Sequence, residues 1–135
     1  LYTFWRRTVG PANMFDASTR QVCKVKPSVT NTPLHALTTL NDPTWTEAAR
    51  VLAENTKDVK DAFRRVLSRE PTAKELDVLN GMLKTQREIF EKDPAAAKKL
   101  VSIGVSKPKG DAVELAAMTS VCLALFNLDE ALTRE

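Results

Sequence analysis

Apolar residues recur with a helical period through most of the chain, and polar capping residues punctuate the runs. From Thr30 to Arg50 the sequence reads TNTPLHALTTLNDPTWTEAAR. Thr32 before Pro33, and Asp42 before Pro43, each set an N-cap residue ahead of proline at the first helical position. The first pair predicts a short helix through Leu37 and Leu40. The second predicts a helix whose Trp45, Ala48, Ala49 and Leu52 share one face, with Asn41 and Asp42 at the corner between them. Lys57 to Arg69 is the clearest amphipathic run: Val59, Ala62, Phe63, Val66 and Leu67 follow the i, i+3, i+4, i+7, i+8 spacing, and Pro71 is read as its stop. Thr72 and Glu75 form a capping box that opens a long helix carrying Leu76, Leu79, Leu83 and Phe90, with Met82 and Ile89 beside them. Asp93-Pro94 starts another short helix, reaching about Ile103. The polar stretch Gly104 to Gly110 reads as the most flexible loop.

Asp111 and Glu114 open the last long helix. Leu115 to Leu128 is fourteen residues without a charge, and Ala116, Ala117, Met118, Val121, Cys122, Leu123, Ala124, Leu125 and Phe126 cover every side of it. A helix apolar all round is either a buried central helix or a membrane span. Fourteen residues fall short of the roughly twenty that cross a bilayer, so the pattern predicts a core helix. The chain upstream is different. Leu1 to Thr8, with Tyr2, Phe4 and Trp5, reads as the end of a helix stopped by Gly10 and Pro11. Residues 12–31 show no sustained period and read as an extended arm. The predicted fold is all-α: six or seven helices packed around a buried C-terminal central helix, with an extended N-terminal arm. Residues 1–135 are read as a single helical domain. From the start at Leu1, inside a helical pattern, the chain is expected to be the C-terminal fragment of a larger polypeptide.

Composition adds two points. The few glycines (4 of 135 residues) and plentiful Leu, Ala, Lys and Glu favour helices. The net charge of +3 is unevenly spread: Arg6, Arg7, Arg20, Lys24 and Lys26 face only Asp16 in residues 1–30, a net of +4 that leaves −1 for the rest. A basic leader raises nucleic-acid binding as a minor alternative, but scattered cations more often form a solvated surface, so no nucleic-acid partner is expected.

The chemistry-bearing residues are sparse. His35 is the sole histidine and reads as a surface or structural residue. There is no glycine-rich phosphate loop, no haem-attachment CxxCH and no HExxH, so neither a catalytic nor a metal-ligating set is assigned. Cys23 and Cys122 fit no metal spacing; a disulfide between them and a buried thiol at Cys122 both stay open. The densest polar cluster is Asn31, Asn41, Asp42, Glu47 and Arg50, with Asp16 and Arg20 upstream. Two roles compete for it. As a ligand-binding corner, Asp16, Arg20, Asn41, Asp42, Glu47 and Arg50 would hold a small polar molecule or a cation. As structure, the Asx residues cap helices and a Glu47–Arg50 pair ties a loop to the corner. The structural role has the greater weight.

The motifs also carry a resemblance. TNTPLHALTTLNDPTWTEAAR resembles the TNTPLQAL…LNDP…EAAR signature of a Planctomycete-type C-terminal domain of unknown function. LYTFWRRT, FDASTRQVCKVK, AFRRVLSREPTAKEL and LFNLDEALTRE are similar to further segments of that family, in the same order. His35 stands where glutamine is usual, Lys26 and Pro27 replace an Arg-rich pair, and Ser68 replaces a glycine. The family occurs in large secreted proteins that often carry a Planctomycete cytochrome c domain. The resemblance therefore implies a periplasmic or extracellular (cell-envelope) location, and partners among upstream domains of the same polypeptide or a companion chain. It implies no cofactor in this fragment and places any haem on a separate upstream domain. Cys23 belongs to the family pattern, and in an oxidising compartment its partner would be Cys122 or a cysteine outside these residues. The resulting functional expectation is a non-catalytic helical structural or interaction module of a multidomain envelope protein. The alternative is that the polar corner contributes to an active site shared with upstream domains.

Overall fold

The computed structural model of the protein describes residues 33–132. The N-terminal arm lies outside the described residues, as do Asp16, Arg20, Cys23 and Asn31. Within them the chain is all-α, with seven helices and no strand. The order is α1 (Pro33–Asn41), α2 (Pro43–Asn55), α3 (Val59–Leu67), α4 (Ala73–Lys92), α5 (Pro94–Val101), α6 (Ala112–Phe126) and α7 (Asp129–Leu132).

The helix starts follow the local capping chemistry. The Asp42 side chain accepts from the Thr44 amide at the start of α2, and Asp58 accepts from the Asp61 amide at the start of α3. Thr72 and Glu75 close a complete capping box ahead of α4. Asp93 accepts from the Ala96 amide at α5, and Asp111 takes the amides of Val113 and Glu114 at α6. Each bond satisfies an amide that a helix N-terminus leaves without an intrahelical partner.

Two helix ends differ from expectation. α3 stops at Leu67, before Pro71, because Ser68 turns into the left-handed region (φ 58°, ψ 19°) and its amide closes on the Arg64 carbonyl. α5 stops at Val101, two residues before Ile103, with the Ser102 amide bonded to the Lys98 carbonyl.

α6 is the central helix, packed against all six others. Leu115, Ala116, Ala117, Thr119, Val121, Cys122, Leu123 and Leu125 are buried along it. The core cluster joins Leu115, Ala116, Cys122, Leu123 and Leu125 to Ala49 and Ala53 of α2, Ala62 and Phe63 of α3, and Ala97 and Val101 of α5. Small residues at Ala49, Ala97, Ala116 and Ala117 let these helices approach closely. Trp45 meets Phe126 edge-on, with ring centroids 5.8 Å apart, and so ties the first turn of α2 to the last turn of α6. α4 has no fully buried residue; Leu76, Leu79, Met82, Leu83 and Phe90 are half-buried, while Ile89 is exposed.

α2 departs from its predicted face. Ala48 is exposed, and the buried stripe is Thr46, Ala49, Arg50 and Ala53. The spacing is still i, i+3, i+4, i+7. A guanidinium occupies a position that an apolar pattern cannot anticipate.

Candidate functional site

The corner between α1 and α2 holds four of the six residues predicted as ligand-binding. Asn41 ends α1, and its side-chain amide donates to the Leu37 carbonyl at 2.7 Å. The Asp42 amide donates to the Thr38 carbonyl at 2.8 Å, and the Asp42 carboxylate accepts from the Thr44 amide at 2.8 Å. The Thr46 hydroxyl closes the corner by donating to the Asp42 carbonyl at 3.1 Å. Asn41 and Asp42 thus end one helix and start the next, as the capping pattern predicts.

One turn further on, Glu47 faces the loop between α5 and α6. Its Oε2 accepts from the Val105 amide at 3.1 Å. Its Oε1 accepts from the Ser106 amide at 2.7 Å and from the Ser106 hydroxyl at 2.5 Å. Arg50 Nη2 stands 3.6 Å from the same Oε1. These contacts, led by the Ser106 hydroxyl and then the two amides, hold the Glu47 carboxyl down at about 2 against the opposing effect of desolvation.

Arg50 is fully buried. Nη1 is paired with Glu54, and Nη2 donates to the Ser106 carbonyl at 3.1 Å and to its hydroxyl oxygen at 2.6 Å. The Ser106 hydroxyl therefore accepts from Arg50 while donating to Glu47, which links a buried cation to a half-buried anion through one oxygen. Arg50 Nε has no partner among the described residues. Glu54 Oε1 also accepts from the Lys109 amide at 3.2 Å, so the far end of the loop is held as well.

Gly104 makes this approach sterically workable. Its φ is +108°, and a Cβ there would lie 2.4 Å from Glu47 Cδ and 2.8 Å from Glu47 Cβ. The Gly104–Gly110 loop, read from sequence as the most flexible segment, is anchored at Val105, Ser106 and Lys109.

The arrangement is closed on itself. A carboxylate whose two oxygens accept three hydrogen bonds, and which stays ionised to about pH 2, is unsuited to act as a general base near neutrality. A guanidinium with no exposed surface presents nothing to a ligand. Of the six predicted residues the structure brings Glu47 and Arg50 into one network, sets Asn41 and Asp42 beside it as caps, and leaves Asp16 and Arg20 outside the described residues. Glu54, Gly104 and Ser106 were not anticipated. Glu54 had a readable signal, because it lies four residues beyond Arg50 on the same helix face. Ser106 had none, being 59 residues from Glu47 in sequence.

Cys122 is the other residue with latent chemistry. Its thiol is free and fully buried, and burial pushes its pKa up to about 12, which makes it a packing group rather than a nucleophile. Its proposed disulfide partner, Cys23, is outside the described residues. Among the described residues no group of three or more His, Cys, Asp or Glu could hold a metal ion, and no helix is long and apolar enough to cross a membrane.

The family model described as "PSD1: Protein of unknown function (DUF1553)" matches residues 1–83, from the N-terminus to the middle of α4 and across the α1–α2 corner. Neither the curated proteins nor the solved structures searched gave a match.

Proposed function

We propose, from the premise that the chain belongs to the PSD1 family of proteins of unknown function (DUF1553), that it serves as a non-catalytic helical module that docks against other domains of an envelope protein. The observation that carries this reading is the fate of the polar corner. Glu47, Arg50, Glu54 and Ser106 bond to one another and to the loop, so the charged cluster acts as an internal brace. Exposed large apolar residues point the same way: Leu37 and Leu40 on α1, Val51 on α2, and Val78 and Ile89 on α4 offer surface to a neighbour. The family resemblance supports a periplasmic or extracellular setting. It also supports partners in upstream domains of the same polypeptide or a companion chain, with any haem carried on one of those domains.

Native mass spectrometry of the parent polypeptide after limited proteolysis tests the reading. A piece spanning these residues that stays bound to the remainder is the expected result. A piece that separates freely, with no measurable affinity for the remainder, overturns it.

A further inference from the structure

α4 turns Leu79, Leu83 and Phe90 toward the rest of the fold, and the opposite side of the helix is exposed along its length. Lys74, Gly81 and Glu88 run down the middle of that outward side, seven residues apart and so in one row. Asp77 and Lys84 flank the row on one side, and Val78 and Thr85 flank it on the other. All of these residues are exposed, and Val78 leaves 71% of its surface in water. The side chains of Lys74, Asp77, Lys84 and Glu88 have no hydrogen bond or ion pair among the described residues, although Lys84 and Glu88 stand one turn apart.

Gly81 is the second feature of this face. Glycine inside a helix is less favourable than alanine, and Gly81 lies near the middle of the 20-residue α4. A Cβ added there would meet nothing within 4 Å, so the packing of the described residues does not require glycine. Its absence leaves bare backbone open to a close neighbour. The Thr85 hydroxyl donates to the Gly81 carbonyl at 3.0 Å, so its donor is used inside the helix.

The row is complementary to itself when reversed. A second copy of α4, antiparallel and related by a two-fold axis at Gly81, sets its Glu88 opposite Lys74 and its Lys74 opposite Glu88. On one flank Asp77 meets Lys84 of the second copy, and on the other Val78 meets Thr85. Each pairing occurs twice, and no like charges meet. A parallel copy would instead set Lys against Lys and Asp against Asp. We infer that the outward face of α4 is a homodimer interface, in which two copies of this chain pack α4 against α4, antiparallel and crossing at Gly81. One helix face on another covers less than the roughly 1,600 Å² of a standard interface, so the dimer is weak and exchanges with monomer. The inference goes beyond the docking reading and does not rest on it, because it takes only α4 and leaves Leu37, Leu40 and Val51 to other domains.

Sedimentation equilibrium of the full chain at rising concentration tests the inference. A monomer–dimer equilibrium in the sub-millimolar range, weakened by added salt, is the expected result. Lys74→Glu alone and Glu88→Lys alone each turn two attractive pairs into two repulsive ones, and each should weaken the dimer by roughly tenfold. The two together restore opposite charges across the axis and should return the affinity to that of the wild type. Gly81→Leu, whose side chain points into open space in the monomer, should abolish the dimer while circular dichroism shows the helices intact. A monomer at every concentration, a dimer indifferent to the single substitutions or to Gly81→Leu, or a double variant no tighter than the single ones would each overturn the proposal.

Discussion

Ser68 shows how much one backbone angle can carry. It ends α3 at φ 58°, where a side chain crowds its own backbone and glycine does not. The resemblance places glycine at this position, and the structure gives the physical reason. Ser68→Gly should stabilise the protein by about 0.5–1 kcal/mol, the relief of left-handed strain less the added freedom of glycine in the unfolded chain. Urea unfolding measures it; a lower midpoint for Ser68→Gly would show that residue 68 does not adopt the left-handed turn. Glu47 makes a prediction of a different kind. Its carboxyl sits at about 2, below the ordinary 4.5, because the Ser106 hydroxyl and the amides of Ser106 and Val105 favour the charged form. A depressed value means the unfolded chain binds the proton more readily. The stabilisation is therefore complete above about pH 4.5 and is lost as pH falls through about 2. Glu47→Gln should unfold more easily than wild type at pH 6, with the difference shrinking steadily toward pH 2. A constant difference across that range would contradict the assignment.

At the level of elements, the helices were legible because their signals are local. Asp42-Pro43, Thr72 with Glu75, Asp93-Pro94 and Asp111 each act within one turn, so sequence and structure agree on where helices begin. Where elements meet, legibility fails. The Glu47–Arg50 pair that ties a loop to the corner is readable from spacing, but the full burial of Arg50 is not, because a loop far along the chain folds over it and supplies Ser106. Arg69, the last residue of the amphipathic run, is a junction. Its guanidinium bonds Glu75 of α4 and Glu130 of α7, both at 2.7 Å, and lies 4.8 Å from the Phe63 ring centroid. Both carboxylates raise its pKa, so it is charged at every accessible pH. α7 has four residues and its own packing is slight, so this planar fork is its main lateral tie. Lysine cannot reproduce two forked pairs and a ring contact. Arg69→Lys should therefore lower amide exchange protection in α7 more than in α3. Equal loss in both helices would mean that the network does not hold α7 in place.

Across the whole molecule, α6 decides whether the domain unfolds as one unit. Every other helix packs on it, and the core cluster has members on α2, α3, α5 and α6. α4 contributes only half-buried residues to that cluster and leaves Val78 and Ile89 exposed. It still packs extensively along α6, and its capping box and the Arg87–Glu114 pair secure it. Leu125 is fully buried near the C-terminal end of α6. Leu125→Ala should cost about 2–5 kcal/mol, because the surrounding helices close only partly over the lost volume. Against a total of about 5–15 kcal/mol for ordinary domains, that is a large fraction. If the domain is cooperative, amide exchange will report the same free-energy loss at the most protected positions of α2, α3, α5 and α6, since all open together. α4 discriminates further: Val78→Ala, on its exposed face, should change stability by less than about 0.5 kcal/mol. Should Leu125→Ala lower protection in α6 alone and leave α2 and α5 untouched, the helices would not share a single core, and the central role assigned to α6 would fail.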